Sequence, residues 1–253
     1  MISNWRIDPW LQYFKPSPRA RLRLFCFPYA GSRAAFFRSW ASKLPGEIEV
    51  CPIELPGRGS RITEPPFTRL MPLVETLAQV MLPYLTMPFA FFGHSMGGLI
   101  SFELARQLGR QGAAMPIHLL LSACRAPQLV NSHSPIHALS DTQFLEKVRL
   151  LGGMPQDILE NTELMQLIVP VLHADFELCE TYVYQHEKPL SCPISVFGGL
   201  QDSGVSQGQL EAWREQTSEA FTLHMCAGDH FYLHTLQEPL LRTLSQKLAQ
   251  HIH

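Results

Sequence analysis

Five residues, Gly93-His94-Ser95-Met96-Gly97, restrict what this chain can fold into more than any other stretch does. An apolar run, residues 89–92, precedes them behind Pro88, and a helical pattern of apolar residues, 99–108, follows. A G-x-S-x-G turn carries structural meaning only between a strand and a helix, and that setting is present. A serine at the tip of so tight a turn takes a strained backbone conformation. Glycines two before and two after it remove side chains that would collide. The hydroxyl is left exposed above the end of a strand, at a helix N-terminus whose dipole favours developing negative charge.

The rest of the chain alternates as a mostly parallel, helix-flanked sheet requires. Residues 1–20 are aromatic and broken by prolines (Trp5, Trp10, Tyr13, Phe14, Pro16, Pro18) and read as an extended arm packing on the domain. Strands are expected at 21–27, 47–53, 89–92, 116–123, 193–198 and 220–226. Helices are expected at 34–44, with Phe36, Phe37, Trp40 and Leu44 on one face, at 70–85, with Pro72 tolerated in the first turn, and at 235–251. The capping box Ser206-x-x-Gln209 opens another.

Between Cys124 and residue 193 the alternation stops and no strand pattern occurs. A second capping box, Ser140-x-x-Gln143, opens a helix with Phe144, Leu145, Val148 and Leu151 inward, and Gly152-Gly153 ends it. Leu164, Leu167, Ile168, Val171, Leu172 and Phe176 recur at helical spacing along a longer helix, which Pro170 is expected to end or kink. The expected architecture is one α/β domain over residues 1–253, a mostly parallel sheet flanked by helices, with a helical lid insertion at 125–190.

Composition removes several functions. With 253 residues, 46% hydrophobic and 17% charged, the chain has material for a large core, as a globular enzyme does. A net charge of −2 with scattered basic residues excludes a nucleic-acid footprint. No stretch approaches the roughly 20 apolar residues of a membrane span. The first residues lack a basic segment followed by an apolar one, so a cytoplasmic protein is expected. The six cysteines show no C-x-x-C spacing and read as free buried thiols. No histidine spacing suggests a metal; His133 and His137 are separated by Pro135, which keeps them off one helical face.

Catalytic groups in open α/β sheets gather at the carboxyl ends of strands. Ser95, Asp202 and His230 each fall just past an expected strand. A serine hydroxyl needs an adjacent base, an imidazole can take and return its proton, and a carboxylate fixes the imidazole tautomer. The order Ser, Asp, His along the chain is that of α/β-hydrolases. His224 lies inside a strand and His234 at a helix start, whereas His230 lies in a loop free to reach Ser95. Among acids, Asp229 is the rival of Asp202, but a residue adjacent to the histidine is poorly placed to grip its neighbour's ring. Asp229 reads otherwise as a surface acid that raises the pKa of His230. Asp175, on the insertion, reads as a solvated or capping charge. The oxyanion needs two donors: the backbone N–H of Met96 and, from the loop after the first strand, that of Ala30. These steps call for no cofactor and no metal.

Six separated motifs resemble one family. Phe27-Pro28-Tyr29-Ala30-Gly31, Leu55-Pro56-Gly57-Arg58, Gly93-His94-Ser95-Met96-Gly97-Gly98, Arg125-Ala126-Pro127, Phe197-Gly198-Gly199…Asp202 and Gly228-Asp229-His230-Phe231 are similar, in this order, to the type II thioesterases of non-ribosomal peptide and polyketide synthesis. Medium-chain acyl-carrier thioesterases of fatty acid synthesis share the pattern. The resemblance runs from about residue 21 to the final helix. It implies an α/β-hydrolase fold with a helical lid, and hydrolysis of acyl thioesters from the phosphopantetheine arm of acyl or peptidyl carrier proteins, clearing stalled or wrongly primed chains. It maps the catalytic residues onto Ser95, Asp202 and His230. Two positions depart from the family: Ser32 and Asp229 stand where glycine is more common.

A lid with apolar inner faces over a serine site suits an acyl chain arriving on a long thin arm. Arg58, Arg61 and Arg125 read either as solvated loop arginines or as attractors of an acidic carrier or a phosphate. A monomer is expected. Two other functions fit parts of the sequence, a carboxylesterase or lipase acting on soluble esters and a catalytically idle docking protein of a synthase.

Overall fold

The computed structural model describes residues 8–130, 134–152 and 162–252. Trp5, His133 and Gly153, named above, lie outside them. Six strands form one sheet: β1 (Leu22–Phe27), β2 (Ile48–Pro52), β3 (Phe89–His94), β4 (Leu119–Ser122), β5 (Ile194–Gly199) and β6 (Phe221–Cys226). Their order is β2-β1-β3-β4-β5-β6, and every described pairing is parallel. This is the expected α/β architecture.

Side-chain alternation splits the core into two layers, one on each face. On one face Phe25, Phe27, Phe89, Phe91, Leu119 and Val196 pack against α1 (Leu70–Met81) and α2 (Met96–Arg110). On the other, Leu24, Phe92, Leu120 and Phe197 meet Phe37 and Trp40 and the final helix, which brings Leu240, Leu241, Leu244 and Leu248. The described part of the arm, from Asp8 on, packs on the domain: Asp8 caps the turn Pro9–Leu11, Trp10 is buried, and the Arg61 guanidinium lies 3.9 Å from the Trp10 ring centroid.

Several expectations about the helices are corrected. The segment after β1 is a 3-10 helix, Ala34–Ser42, rather than an α-helix. Its buried residues, Ala34, Phe37 and Trp40, recur every third position, which is the repeat of a 3-10 helix and puts both large rings against Phe92. The helix expected over 70–85 stops at Met81 and tightens into a 3-10 turn, Leu82–Tyr84, because Pro83 has no N–H to continue the ladder. Ser140 occupies the N-cap of α3 (Asp141–Leu150), but its hydroxyl bonds the Gln143 side chain at 3.2 Å and not the backbone. Of the two outcomes expected of Pro170, an end or a kink, the end is ruled out, since α4 (Thr162–Glu180) runs through it. Gln166 and Pro170 both face solvent, so water can take the carbonyl that loses its partner.

The insertion carries a small core of its own, in which Phe144, Val148 and Leu172 are buried beside Ile168 and Phe176. Leu151 and Leu167 face outward, contrary to the spacing argument. Leu178, one face of α4 further on, belongs to the main core and anchors the insertion to it. After β5 come α5 (Gln207–Glu211), with the expected capping box formed at Ser206 and Gln209, then β6, α6 (Tyr232–Thr235) and α7 (Gln237–Ala249). No described helix is long and apolar enough to cross a membrane.

Candidate active site

The turn after β3 shows why its glycines are required. A Cβ on Gly93 would sit 2.1 Å from the Gly97 carbonyl oxygen, and one on Gly97 would sit 2.2 Å from the Phe27 carbonyl oxygen. The end of β1 therefore abuts the first turn of α2 with no room for a side chain. Ser95 has φ 52° and ψ −115°, a conformation costly for any residue but glycine. Its N–H donates to the Ser122 carbonyl at 2.7 Å, which extends the β3–β4 ladder into the turn and holds the strained residue. α2 begins at the next residue, Met96.

Two strands away, the loop after β5 carries Asp202. Its side chain is 1% exposed. One oxygen accepts the N–H groups of Gly204 (2.8 Å) and Val205 (3.1 Å), and the other lies 2.7 Å from His230 Nδ1. A carboxylate can only accept, so Nδ1 carries the proton and Nε2 is the free lone-pair nitrogen of the neutral ring. The two loops touch through backbone: a Cβ on Gly199 would lie 2.3 Å from the Asp229 carbonyl oxygen and 2.5 Å from that of Gly228. Gln201 clamps the same joint, its N–H donating to the Gly228 carbonyl at 2.9 Å and its side chain accepting the Gly228 N–H. Asp229, the rival acid, instead accepts the Phe231 N–H at 2.8 Å and closes a local turn.

The residue before Ser95 joins the loop of His230 to the turn after β3. The rings of His94 and His230 meet edge to face with centroids 5.3 Å apart. His94 is fully buried, and its Nδ1 is 2.8 Å from the Ser122 hydroxyl, which is 2.6 Å from the Tyr232 hydroxyl. Burial first, and then the neighbouring His230 and His234, hold the His94 pKa well below the usual histidine value, so it is a neutral strut.

After β1, Tyr29-Ala30-Gly31-Ser32 forms a turn closed by Ser32 N–H to the Tyr29 carbonyl at 2.9 Å, with Gly31 at φ 75°. The Tyr29 ring packs on Phe36, His94 and Phe231, and its hydroxyl is 2.9 Å from His234 Nε2. The Gly31 N–H is occupied: it donates to Asp175 at 2.8 Å.

Asp175 is the group that the sequence argument misjudged. It is buried, not solvated, and forms a two-pronged ion pair with Arg58 at 2.7 and 2.8 Å. Arg58 is buried with it and is not a surface attractor. Arg61 is also buried, paired with Glu64 and bonded to the Glu54 carbonyl. Arg125 donates to the Val130 carbonyl at 3.0 Å. A signal for Asp175 existed, since it falls three residues after Leu172 and three before Leu178, on the apolar face of the helix. A second serine–histidine contact, Ser195 with His118 at 2.8 Å, is buried at the opposite, amino-terminal end of the sheet.

Among the described residues no cluster of His, Cys, Asp and Glu could hold a metal ion. All six cysteines are free, and burial pushes their thiols up, Cys124 and Cys192 to about 12, which removes them as thiolate nucleophiles at neutral pH.

A thioesterase domain model matches residues 22–248. This chain belongs to the thioesterase domain family. Linear gramicidin dehydrogenase LgrE of Brevibacillus parabrevis is 45% identical over 253 residues, covering 99% of this thioesterase and 94% of that protein. The name given to that relative speaks of a dehydrogenase, while the family model and the serine-centred turn found here are of the hydrolase kind. RedJ, the thioesterase from the prodiginine biosynthetic pathway in Streptomyces coelicolor, shares 39% identity and a TM-score of 0.86, covering 92% of this thioesterase and 89% of that chain. The type II thioesterase BorB from the borrelidin biosynthetic cluster shares 32% identity and a TM-score of 0.84, covering 96% and 97%. The fold is that of the α/β-hydrolases, as the sequence resemblance implied.

Proposed function

We propose that the thioesterase hydrolyses acyl thioesters carried on the phosphopantetheine arm of carrier proteins in a non-ribosomal peptide or polyketide synthase, removing stalled or wrongly primed acyl groups. The observation that carries the chemistry is the 2.7 Å contact of His230 Nδ1 with the buried Asp202, the His230 ring meeting that of His94, next to the strained Ser95 in sequence. The similarity to BorB and RedJ and the helical insertion beside the site support the substrate class.

In this reading Ser95 Oγ attacks the thioester carbonyl carbon as its proton passes to His230 Nε2. Asp202 stabilises the imidazolium. The Met96 and Ala30 N–H groups hold the oxyanion. The Gly31 N–H is already bonded to Asp175, which favours its neighbour Ala30 over Gly31 as the donor to substrate. The C–S bond then breaks, and His230 returns the proton to the departing sulfur. A water molecule gives its proton to His230 as it attacks the acyl-enzyme, and collapse of the second intermediate frees the acid and reprotonates Ser95. No cofactor enters these steps. We take the protein to act as a cytoplasmic monomer.

Turnover of acyl-pantetheine and acyl-carrier substrates, compared with nitrophenyl esters of equal chain length, tests the substrate class; a preference for the soluble esters would make it a carboxylesterase. Ser95→Ala is expected to lose about 10⁵-fold or more in kcat, since triad members act as a unit. An active Ser95→Ala protein removes the mechanism, and a wild-type serine that a fluorophosphonate does not label favours an idle docking role.

A further inference from the structure

Three segments distant in sequence meet at the loop after β1. Asp175, on α4 of the insertion, is 1% exposed, and Arg58, in the loop after β2, is 6% exposed. Asp175 Oδ2 accepts both the Gly31 N–H and an Arg58 N–H, each at 2.8 Å, and Oδ1 accepts a second Arg58 N–H at 2.7 Å. Arg58 also donates to the Ser32 carbonyl at 3.2 Å. The loop is thus held at an N–H and at a carbonyl by one ion pair. Leu172, one turn earlier on α4, closes the contact: its Cδ2 lies 2.6 Å from where a Cβ on Gly31 would stand.

The geometry of the peptide group makes this hold consequential. Each peptide unit is a rigid plane. The Gly31 N–H shares its plane with the Ala30 carbonyl, and Asp175 fixes that plane. The Ala30 N–H shares its plane with the Tyr29 carbonyl, which the Ser32 N–H fixes at 2.9 Å. Both planes that meet at Ala30 are therefore pinned, and the direction of the Ala30 N–H is set. Burying an ion pair is a poor way to gain stability, because apolar residues of similar volume usually do as well. A pair that grips a functional loop has a reason to be kept.

We infer that Asp175, with Arg58 as its charge partner, is a positioning residue for the oxyanion loop, so that stabilisation of the tetrahedral intermediate depends on the seating of α4 against Gly31. This rests on the serine-thioesterase reading above and adds to it a residue from the insertion.

The experiment compares Asp175→Asn with the double variant Arg58→Met/Asp175→Leu, which removes both charges. Asp175→Asn is expected to lower kcat about 10- to 100-fold, less than deletion of an oxyanion donor, with KM within about threefold. Affinity for a trifluoromethyl ketone analogue of the acyl thioester should fall by the same factor as kcat/KM, since the oxyanion contact is made in the tetrahedral state. The double variant is expected to keep a Tm close to that of the wild type while its kcat stays low, because Gly31 still lacks its acceptor. A double variant with wild-type Tm and wild-type kcat overturns the inference. So does an Asp175→Asn protein that loses stability alone, with unchanged kcat per folded molecule. If the serine reading itself is wrong, Ser95→Ala stays active. If only this inference is wrong, Ser95→Ala is dead and fluorophosphonate labels Ser95 normally, while the Asp175 variants turn over as the wild type does.

Discussion

Asp202 and Asp175 are both buried carboxylates that use two oxygens on two kinds of partner, yet they stand in regions built differently. Asp202 belongs to the carboxyl edge of the sheet, in a loop whose neighbours are backbone: the Gly204 and Val205 N–H groups on one oxygen, a histidine ring on the other. Asp175 belongs to a helical insertion with its own small core and reaches across to a guanidinium and a single peptide N–H. In the proposed mechanism the first carboxylate orients a proton carrier, and the second is inferred to orient a stretch of main chain. A hydrolase site of this design needs both kinds of order. They come from different depths of the structure, one from the sheet and one from an element laid over it.

Substitutions can break this contrast, and after Ser95 itself the largest effect is expected at Asp202. Asp202→Asn leaves the hydrogen-bond geometry in place but favours the wrong imidazole tautomer, and kcat should fall about 10⁴-fold. A loss no greater than that measured for Asp175→Asn would mean that the two carboxylates do the same job, and the contrast would disappear.

The next test asks whether the insertion is a separate unit of stability. Phe144 is fully buried among Val148, Leu172 and Phe176. Phe144→Ala should cost about 3–5 kcal/mol locally. Hydrogen exchange should then quicken across α3 and α4 while β3 and β4 stay protected. Uniform acceleration throughout the chain would show instead that sheet and insertion unfold together.

A smaller effect sharpens the sheet side of the comparison. Burial, aided by His251 and Lys247, lowers the His118 pKa to about 4. In the unfolded chain the same ring titrates near 6.5, so below that pH the unfolded state binds more protons than the folded one. The stability this represents is full above pH 6.5 and is lost as the pH falls toward 4, at most about 3 kcal/mol. His118→Gln should flatten the fall of Tm with acid over that window. An unchanged slope would place the acid sensitivity elsewhere.

How much of this was legible in the sequence depends on how far apart the cooperating residues lie. The G-x-S-x-G turn declares itself because its cause is local: Gly93 and Gly97 exist to avoid each other and the end of β1. Asp202 and His230 could be chosen because each follows a strand, and strand ends converge in a parallel sheet. The 3-10 character of 34–42 lay in the spacing of Ala34, Phe37 and Trp40 but was masked by the wider apolar face that Phe36 and Leu44 suggest. The Asp175–Arg58 pair was out of reach. Its partners are separated by more than a hundred positions, and a charge on a helix is ordinarily a solvated one. The persistence of α4 through Pro170 was hidden for a related reason, since it turns on which way one carbonyl faces in the folded molecule.

The contact at Gly199 has a consequence for anyone wishing to redesign the enzyme. Where two loops are fitted main chain to main chain, with the nearest approach filled by a hydrogen atom, their separation is a fixed dimension of the scaffold. Exchanging nearby side chains can change the surroundings of Asp202 and His230 but cannot widen the gap between the two loops that carry them. To move them apart, one must lengthen or shorten the polypeptide itself.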